Sequence, residues 1–277
     1  MGVITIDAIT NEKINNSTWE QDKWIIQTSG YHPYYVVDGQ QRLTSLILLL
    51  EAILSNRNEK KQKYINFESI TEIKNRFIVK FKGNSTRDYT VLFGYDRGNS
   101  SSKYFINKIL KLPIVDNDNI QMTKYNHNLL DAETFFKTEI DKLNDNQIKN
   151  LYKKITARVV FNLYQISHDI DVFVTFETMN NRGKTLSTLE LLKNRLIYLS
   201  TLFAGQQTSS QERIRNEVNT CWKKIYDYLG KNPNHMLADD DFLASHTYFF
   251  FSKKNVDKND PTEFVFNKLD TRILLLN

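Results

Sequence analysis

Cysteine is nearly absent: Cys221 is the single one in 277 residues, which excludes an intramolecular disulfide and any cysteine-based zinc cluster. Its place beside Trp222 in a helical stretch predicts a buried, inert thiol. Histidine is sparse and dispersed (His32, His127, His168, His235, His246), with no H-E-x-x-H and no His–Cys spacing, so zinc hydrolase chemistry has no support. Four prolines and nine glycines rule out a collagen-like chain. Hydrophobic runs such as residues 46–50 and 273–276 fall far below the roughly 20 residues of a membrane-spanning helix. The first residues lack the basic stretch, apolar run and cleavage site of a secretory signal, so cytoplasm is the expected location, without a membrane partner. Nucleotide and hydrolase signatures are missing as well. There is no G-x-S-x-G elbow and no G-x-G-x-x-G, and Gly183-Lys184-Thr185 fails as a P-loop because Thr178 stands where the first glycine is required.

What is there is an ordinary globular composition: 40% hydrophobic, 25% charged and 12% aromatic, with mean hydropathy −0.48. The length fits one large domain or two small ones. A net charge of +5 and a pI near 9.0 permit a polyanionic partner without demanding one. The denser basic stretches, residues 57–63, 149–154 and 253–258, carry polar or acidic neighbours and read as solvated faces.

Tyr34-Tyr35-Val36-Val37 reads as a strand ending at Asp38-Gly39. Leu43, Leu46, Ile47, Leu50, Ile53 and Leu54 then recur at helical spacing until the polar stretch 55–63 stops the pattern. Strand-like runs at 76–81 and 89–93 flank Gly83-Asn84-Ser85 and predict a hairpin. Ser101 or Ser102 is expected to cap a helix through Tyr104, Phe105, Ile109 and Leu110, ended by Pro113. Residues 120–155 read as two helices with a break and cap at Asn144-Asp145, and 157–166 as a strand. Residues 171–179 fit either a strand or a helix. Ser187 and Glu190 form an S-x-x-E capping box for the next helix. Breaks near 204–209, 230–234 and 255–261 leave three further helices, with Trp222, Ile225, Leu229, Phe242 and Phe249 as core anchors.

The turn Asp38-Gly39-Gln40-Gln41-Arg42 carries the chemistry. Glycine after a strand lets backbone approach a ligand, and the following helix offers unpaired amides and a partial positive charge. Arg42 adds a bidentate phosphate clamp. Asp38 can cap the helix or help hold a metal, and Gln40 and Gln41 can orient a water or a base edge; an exposed polar first turn is the plainer reading. The turn 180–184 offers Arg182 or Lys184 to an anion, or is simply a solvent-exposed turn. Asp239-Asp240-Asp241 reads as helix-cap charge more simply than as a cation site.

The stretch Val36-Val37-Asp38-Gly39-Gln40-Gln41-Arg42-Leu43-Thr44-Ser45-Leu46 resembles the DGQQR signature of the GmrSD-type restriction endonuclease N-terminal domain family. A second block agrees: residues 176–187 with Asn180, Asn181, Arg182 and Gly183, then Leu191-Leu192-Lys193-Asn194. Between them Tyr95-Asp96 and Tyr104-Phe105 are the best points of similarity. The resemblance implies an α+β chain: a small ParB/sulfiredoxin-like mixed sheet with helices over residues 1–115, then a mainly helical region over 116–277 with a strand near 157–166. It implies that 171–179 is helical. The family's usual opening segment, similar to I-P-x-[FY]-Q-R-x-Y-x-W, does not precede Gly2-Val3-Ile4, so the resemblance implies an N-terminally truncated chain lacking a strand and an Arg, and the apolar ending 274–277 suggests the same of the C-terminus.

The function implied is a nucleoside-triphosphate-binding and hydrolysing regulatory domain of a modification-dependent DNA restriction system in phage defence, working with a separate HNH-type nuclease domain or subunit. ATP, GTP or UTP with Mg²⁺ is the implied cofactor, and DNA, plain or modified, the implied partner; the chain is either a monomer or a homo-oligomer. In this reading Asp38, Gln41 and Arg42 are catalytic, Asp38 the metal ligand, and Gly39, Gln40, Asn180, Arg182 and Lys193 the nucleotide contacts. The alternative is a non-catalytic DNA-binding or assembly module, which predicts steeply salt-dependent DNA affinity without turnover. Direct nuclease action is the third reading; Glu190 and Lys193, three apart on one helix, serve equally well as a surface ion pair.

Overall fold

The computed structural model describes residues 2–15, 19–83, 85, 87–95, 100–114, 120, 122–165, 187–202, 208–232, 235, 237–251 and 261–268. The chain divides into two compact units, Met1–Gln121 with Tyr125–Val172, and Met122–Lys124 with Phe173–Asn277. The fold is mixed α and β, mainly helical, with small sheets.

In the first unit β1 (Val3–Ala8) runs antiparallel to β2 (Tyr34–Asp38) and parallel to β7 (Asn162–Gln165), giving the order β2-β1-β7. Thr5 pairs with Asp38 and, on its other side, with Tyr164. A register irregularity between Thr5 and Ile6 bends β1 where it faces the end of β2. The short helices α1 (Asn11–Ile14) and α2 (Lys23–Ser29) lie between β1 and β2 in sequence. From β2 the chain turns through Gly39 into α3 (Gln40–Glu59), the strand, turn and helix expected at 34–54.

The helix does not stop at Ser55. It runs on to Glu59, because polar groups that look solvated in sequence are buried against specific partners: Lys111 Nζ donates to Ser55 Oγ at 2.9 Å, and Asn56 Nδ2 to Asp141 Oδ1 at 2.6 Å. Arg57, about 1% exposed, donates to Gln62 Oε1 and Asp145 Oδ1. The helix ends in a Schellman pattern, Gln62 N to Arg57 O and Lys61 N to Asn58 O, with Lys61 at φ 55 where glycine is usual.

A two-residue hairpin joins β3 (Tyr64–Ile65) to β4 (Glu68–Ser69). Ser69 then opens α4 (Ile70–Phe77) by a capping box with Glu72, so Arg76 and Phe77 are helical rather than in the expected strand. The strand proper is β5 (Val79–Phe81), paired with β6 (Tyr89–Val91) as an antiparallel hairpin. Next, α5 (Ser100–Tyr104) passes into a π-helical turn, Phe105–Ile109, closed by Leu110 N to Phe105 O at 2.9 Å. Ser101 and Ser102 lie buried inside α5 instead of capping it. The two helices expected over 120–155 are α6 (Lys124–Asp141) and α7 (Asp145–Ala157), the latter opened by an Asn144–Gln147 capping box. Ile53, Leu54, Ile65, Ile73, Val79, Phe105 and Ile148 are fully buried hydrophobic residues of this unit.

The second unit holds α8 (Thr188–Leu202), α9 (Thr208–Leu229), α10 (Asp239–Phe251) and α11 (Pro261–Lys268). Leu189, Leu192, Trp222, Tyr226, Leu229 and Leu243 form its core, with Ile225 and Phe242 packed against it. Two expectations fail here: Phe249 is 82% exposed, and Cys221 is exposed rather than buried, because the apolar stripe of α9 runs through Trp222, Ile225, Tyr226 and Leu229. No helix among the described residues is long and apolar enough to cross a membrane.

Candidate functional site

The turn after β2 depends on glycine. Gly39 is the N-cap of α3 at φ 96, ψ 7, a left-handed conformation costly for any residue with a Cβ. A Cβ there would also stand 3.1 Å from Ile4 Cγ1 and 3.4 Å from the Ile4 Cα on β1. The turn is thus pressed against the neighbouring strand, which fixes where the first turn of α3 begins.

Asp38 does not cap the helix, contrary to one sequence reading, since no side chain caps α3. Its carboxylate instead accepts from Arg42 Nη2 at 3.2 Å, an i,i+4 pair bridging the turn. Arg42 Nη1 also donates to the Val3 carbonyl, clamping β1 to the start of α3. With the Arg42 side chain about 38% exposed, the guanidinium is oriented yet open to solvent. Gln40 Nε2 donates back to the Val36 carbonyl at 2.6 Å, and Gln41 is exposed. No acidic residue occupies the first turn of α3 itself, and the Asp38 carboxylate just before it is drawn onto Arg42. One turn on, Thr44 hydrogen-bonds the Tyr95 hydroxyl, and burial pushes the Tyr95 phenol above its usual pKa against that bond. Tyr95 stacks edge-on against Phe105 at 5.3 Å, tying the middle block of the sequence to the DGQQR helix.

The structure brings together Asp38, Gly39, Gln40, Gln41 and Arg42. Lys193 belongs to the second unit, on α8, where burial lowers its ammonium pKa and the Glu190 carboxylate partly opposes that shift. Asn180 and Arg182, the turn 180–184 and the ambiguous 171–179 lie outside the described residues. Ser187 does cap α8, accepting from Glu190 N at 3.3 Å. The aspartates 239–241 sit in the first turn of α10, where Asp240 Oδ1 accepts from Leu189 N and Asp239 accepts from Lys124 Nζ and Ser187 Oγ. That is the structural role expected of them. Among the described residues no group of three or more His, Cys, Asp or Glu side chains is placed to hold a metal.

A family model described as "GmrSD restriction endonuclease, N-terminal domain" matches residues 13–197, about two thirds of the chain. No curated protein and no solved structure matches it.

Proposed function

The chain belongs to the GmrSD restriction endonuclease N-terminal domain family, and from that premise we propose that the Asp38–Arg42 turn binds the phosphates of a nucleoside triphosphate and promotes its hydrolysis within a DNA restriction system. The observation that carries this reading is Arg42: a half-exposed guanidinium held by Asp38 and the Val3 carbonyl at the N-terminus of a 20-residue helix. A phosphate fits the donors present. The amides of the first turn and the Arg42 fork supply hydrogen bonds and positive charge. Magnesium fits as well, since such ions are held by one or two carboxylates plus phosphate oxygens, and Asp38 is the carboxylate at the turn. The bound metal would neutralise charge on the phosphates.

In this reading Arg42 shifts from Asp38 to the anion and stabilises charge as it develops. The Gly39 and Gln40 backbones contact phosphate while the Gln40 side chain stays on Val36, and exposed Gln41 orients water. The β2-β1-β7 sheet with its strand-turn-helix supports a ParB/sulfiredoxin-like core. An HNH-type partner in a phage-defence system cuts the DNA. The test is phosphate release from ATP, GTP and UTP with Mg²⁺, with and without plain or modified DNA, beside calorimetric nucleotide binding, for the chain and for Arg42→Ala. Binding and turnover lost in the variant are expected; unchanged nucleotide affinity in Arg42→Ala defeats the reading.

A further inference from the structure

The β3–β4 hairpin turns through Asn66 and Phe67, at φ 48 and φ 72. Two positive φ angles are what a type I′ turn requires; asparagine suits the first position and glycine the second. Phenylalanine at the second is costly, and nothing in the fold compensates, because Phe67 is 100% exposed. An aromatic side chain held in solvent on a strained turn, with Tyr64 of the same hairpin 63% exposed, adds nothing to folding.

The turn is not loosely attached. Asn66 Nδ2 donates to the Lys149 carbonyl at 3.2 Å, and Glu68 accepts from both Arg76 and Tyr152, so the hairpin is fastened to α7. Three of the neighbouring carboxylates are already paired, Glu68 with Arg76, Glu72 with the Ser69 cap, and Asp145 with Arg57 and Lys149, while Glu59 beside Lys60 is exposed. By contrast Lys60, Lys61 and Lys63 before the hairpin, and Lys153, Lys154 and Arg158 along α7, are exposed and stand outside every ion pair of the described residues. Asn150, Lys153, Lys154 and Arg158, at i, i+3, i+4 and i+8, line one open recess of about 170 Å³. Two of the basic stretches that the sequence presents as ordinary solvated faces thus flank one projecting aromatic.

We propose that this face, Phe67 with the lysines before it and the basic side of α7, is a contact surface for duplex DNA, with phosphates on the cations and Phe67 set against the base stack. Charge complementarity selects a polyanion, and an exposed ring among cations is the arrangement that both tracks a phosphate backbone and meets bases. The choice of DNA rests on the family's role in restriction, but the surface is separate from the Asp38–Arg42 turn and acts without nucleotide.

The experiment is fluorescence anisotropy of a short labelled duplex with the full chain, over a salt series and without nucleotide or Mg²⁺, so its outcome is independent of the phosphate turn. Phe67→Gly is the informative variant, because glycine suits the turn. It should raise the urea midpoint while weakening DNA binding about tenfold, with the salt slope unchanged. Phe67→Asn, which tolerates the same backbone, should show the same loss. Lys153→Ala with Lys154→Ala should leave the urea midpoint in place and reduce the salt slope by roughly two. DNA affinity unchanged in Phe67→Gly, a full salt slope in the double variant, absence of duplex binding at low salt, or a Phe67-dependent dimer in sedimentation instead of DNA binding would each overturn the proposal.

Discussion

The two ends of α3 each carry an arginine, Arg42 in the first turn and Arg57 in the last, and the fold uses them in opposite ways. Arg42 keeps about 38% of its side chain in solvent and holds Asp38 at 3.2 Å, a partner it can leave. Arg57 is about 1% exposed, and its Nη1 and Nη2 donate to Gln62 and to the Asp145 side chain and carbonyl. A guanidinium committed on several sides is a structural bolt, whereas one held from behind and open in front is fit to meet an anion. Each end also carries a left-handed residue. At the N-terminus Gly39 takes it because Ile4 leaves no room for a Cβ; at the C-terminus Lys61 takes it as the price of closing the helix.

The largest effect is expected at the buried end. Arg57→Ala removes a fully buried side chain together with its bonds to Gln62 and Asp145, and should lower stability by about 3 kcal/mol in urea denaturation. If it costs no more than Arg42→Ala, the contrast between the two ends collapses. Gly39→Ala comes next: the strained φ and the contact with Ile4 should together cost about 2 kcal/mol, and a neutral result would mean that the turn can relax away from β1. Arg42→Ala should sharpen the comparison from the other side. It loses a half-exposed ion pair and one carbonyl contact, about 1 kcal/mol of stability, while nucleotide affinity falls at least about tenfold. Stability and binding would then separate at Arg42 as they do not at Arg57.

The same contrast explains what could be read from the sequence. The N-terminal end is local: a β-branched and aromatic strand, an Asp-Gly turn and a change to helical period follow one another directly, so strand, turn, helix and the DGQQR constellation are all legible there. What the motif hides is Asp38's choice of Arg42 over the helix cap, which follows from the depth at which β1 presses on Gly39. β1 itself escapes notice because Val3-Ile4-Thr5-Ile6 becomes a strand by pairing with segments distant in sequence, β2 ending at Asp38 on one side and β7 beginning at Asn162 on the other. The C-terminal end of α3 is non-local. Ser55, Asn56 and Arg57 look like the start of a solvated loop until Lys111, Asp141 and Asp145 arrive 56, 85 and 88 residues later. One non-obvious element is nonetheless written locally: Ser69-Ile70-Thr71-Glu72 is a legible S-x-x-E box, and it places Arg76 and Phe77 in a helix rather than a strand. The Phe67 turn is a different case, since its sequence breaks the Asn-Gly rule that would have marked it.

The smallest effect is a pH dependence at the buried end. Hydrogen bonds from Lys149 and then Arg57 hold the Asp145 carboxyl below its ordinary pKa. In the unfolded chain those partners are gone, so in the window from the ordinary carboxylate value near 3.8 down to the folded value, the unfolded state binds more protons than the native one. The stabilisation is therefore present in full above that window and lost as pH falls through it. Glu51 acts in the opposite direction: burial raises its pKa against the pull of Lys74, so its ionisation opposes folding above its unfolded value. A wild-type acid profile mixes the two, and Asp145→Asn separates them. Urea midpoints followed downward from pH 5 should fall less steeply in Asp145→Asn than in the parent, and parallel profiles would show that the Arg57 end of α3 is held by burial rather than by charge.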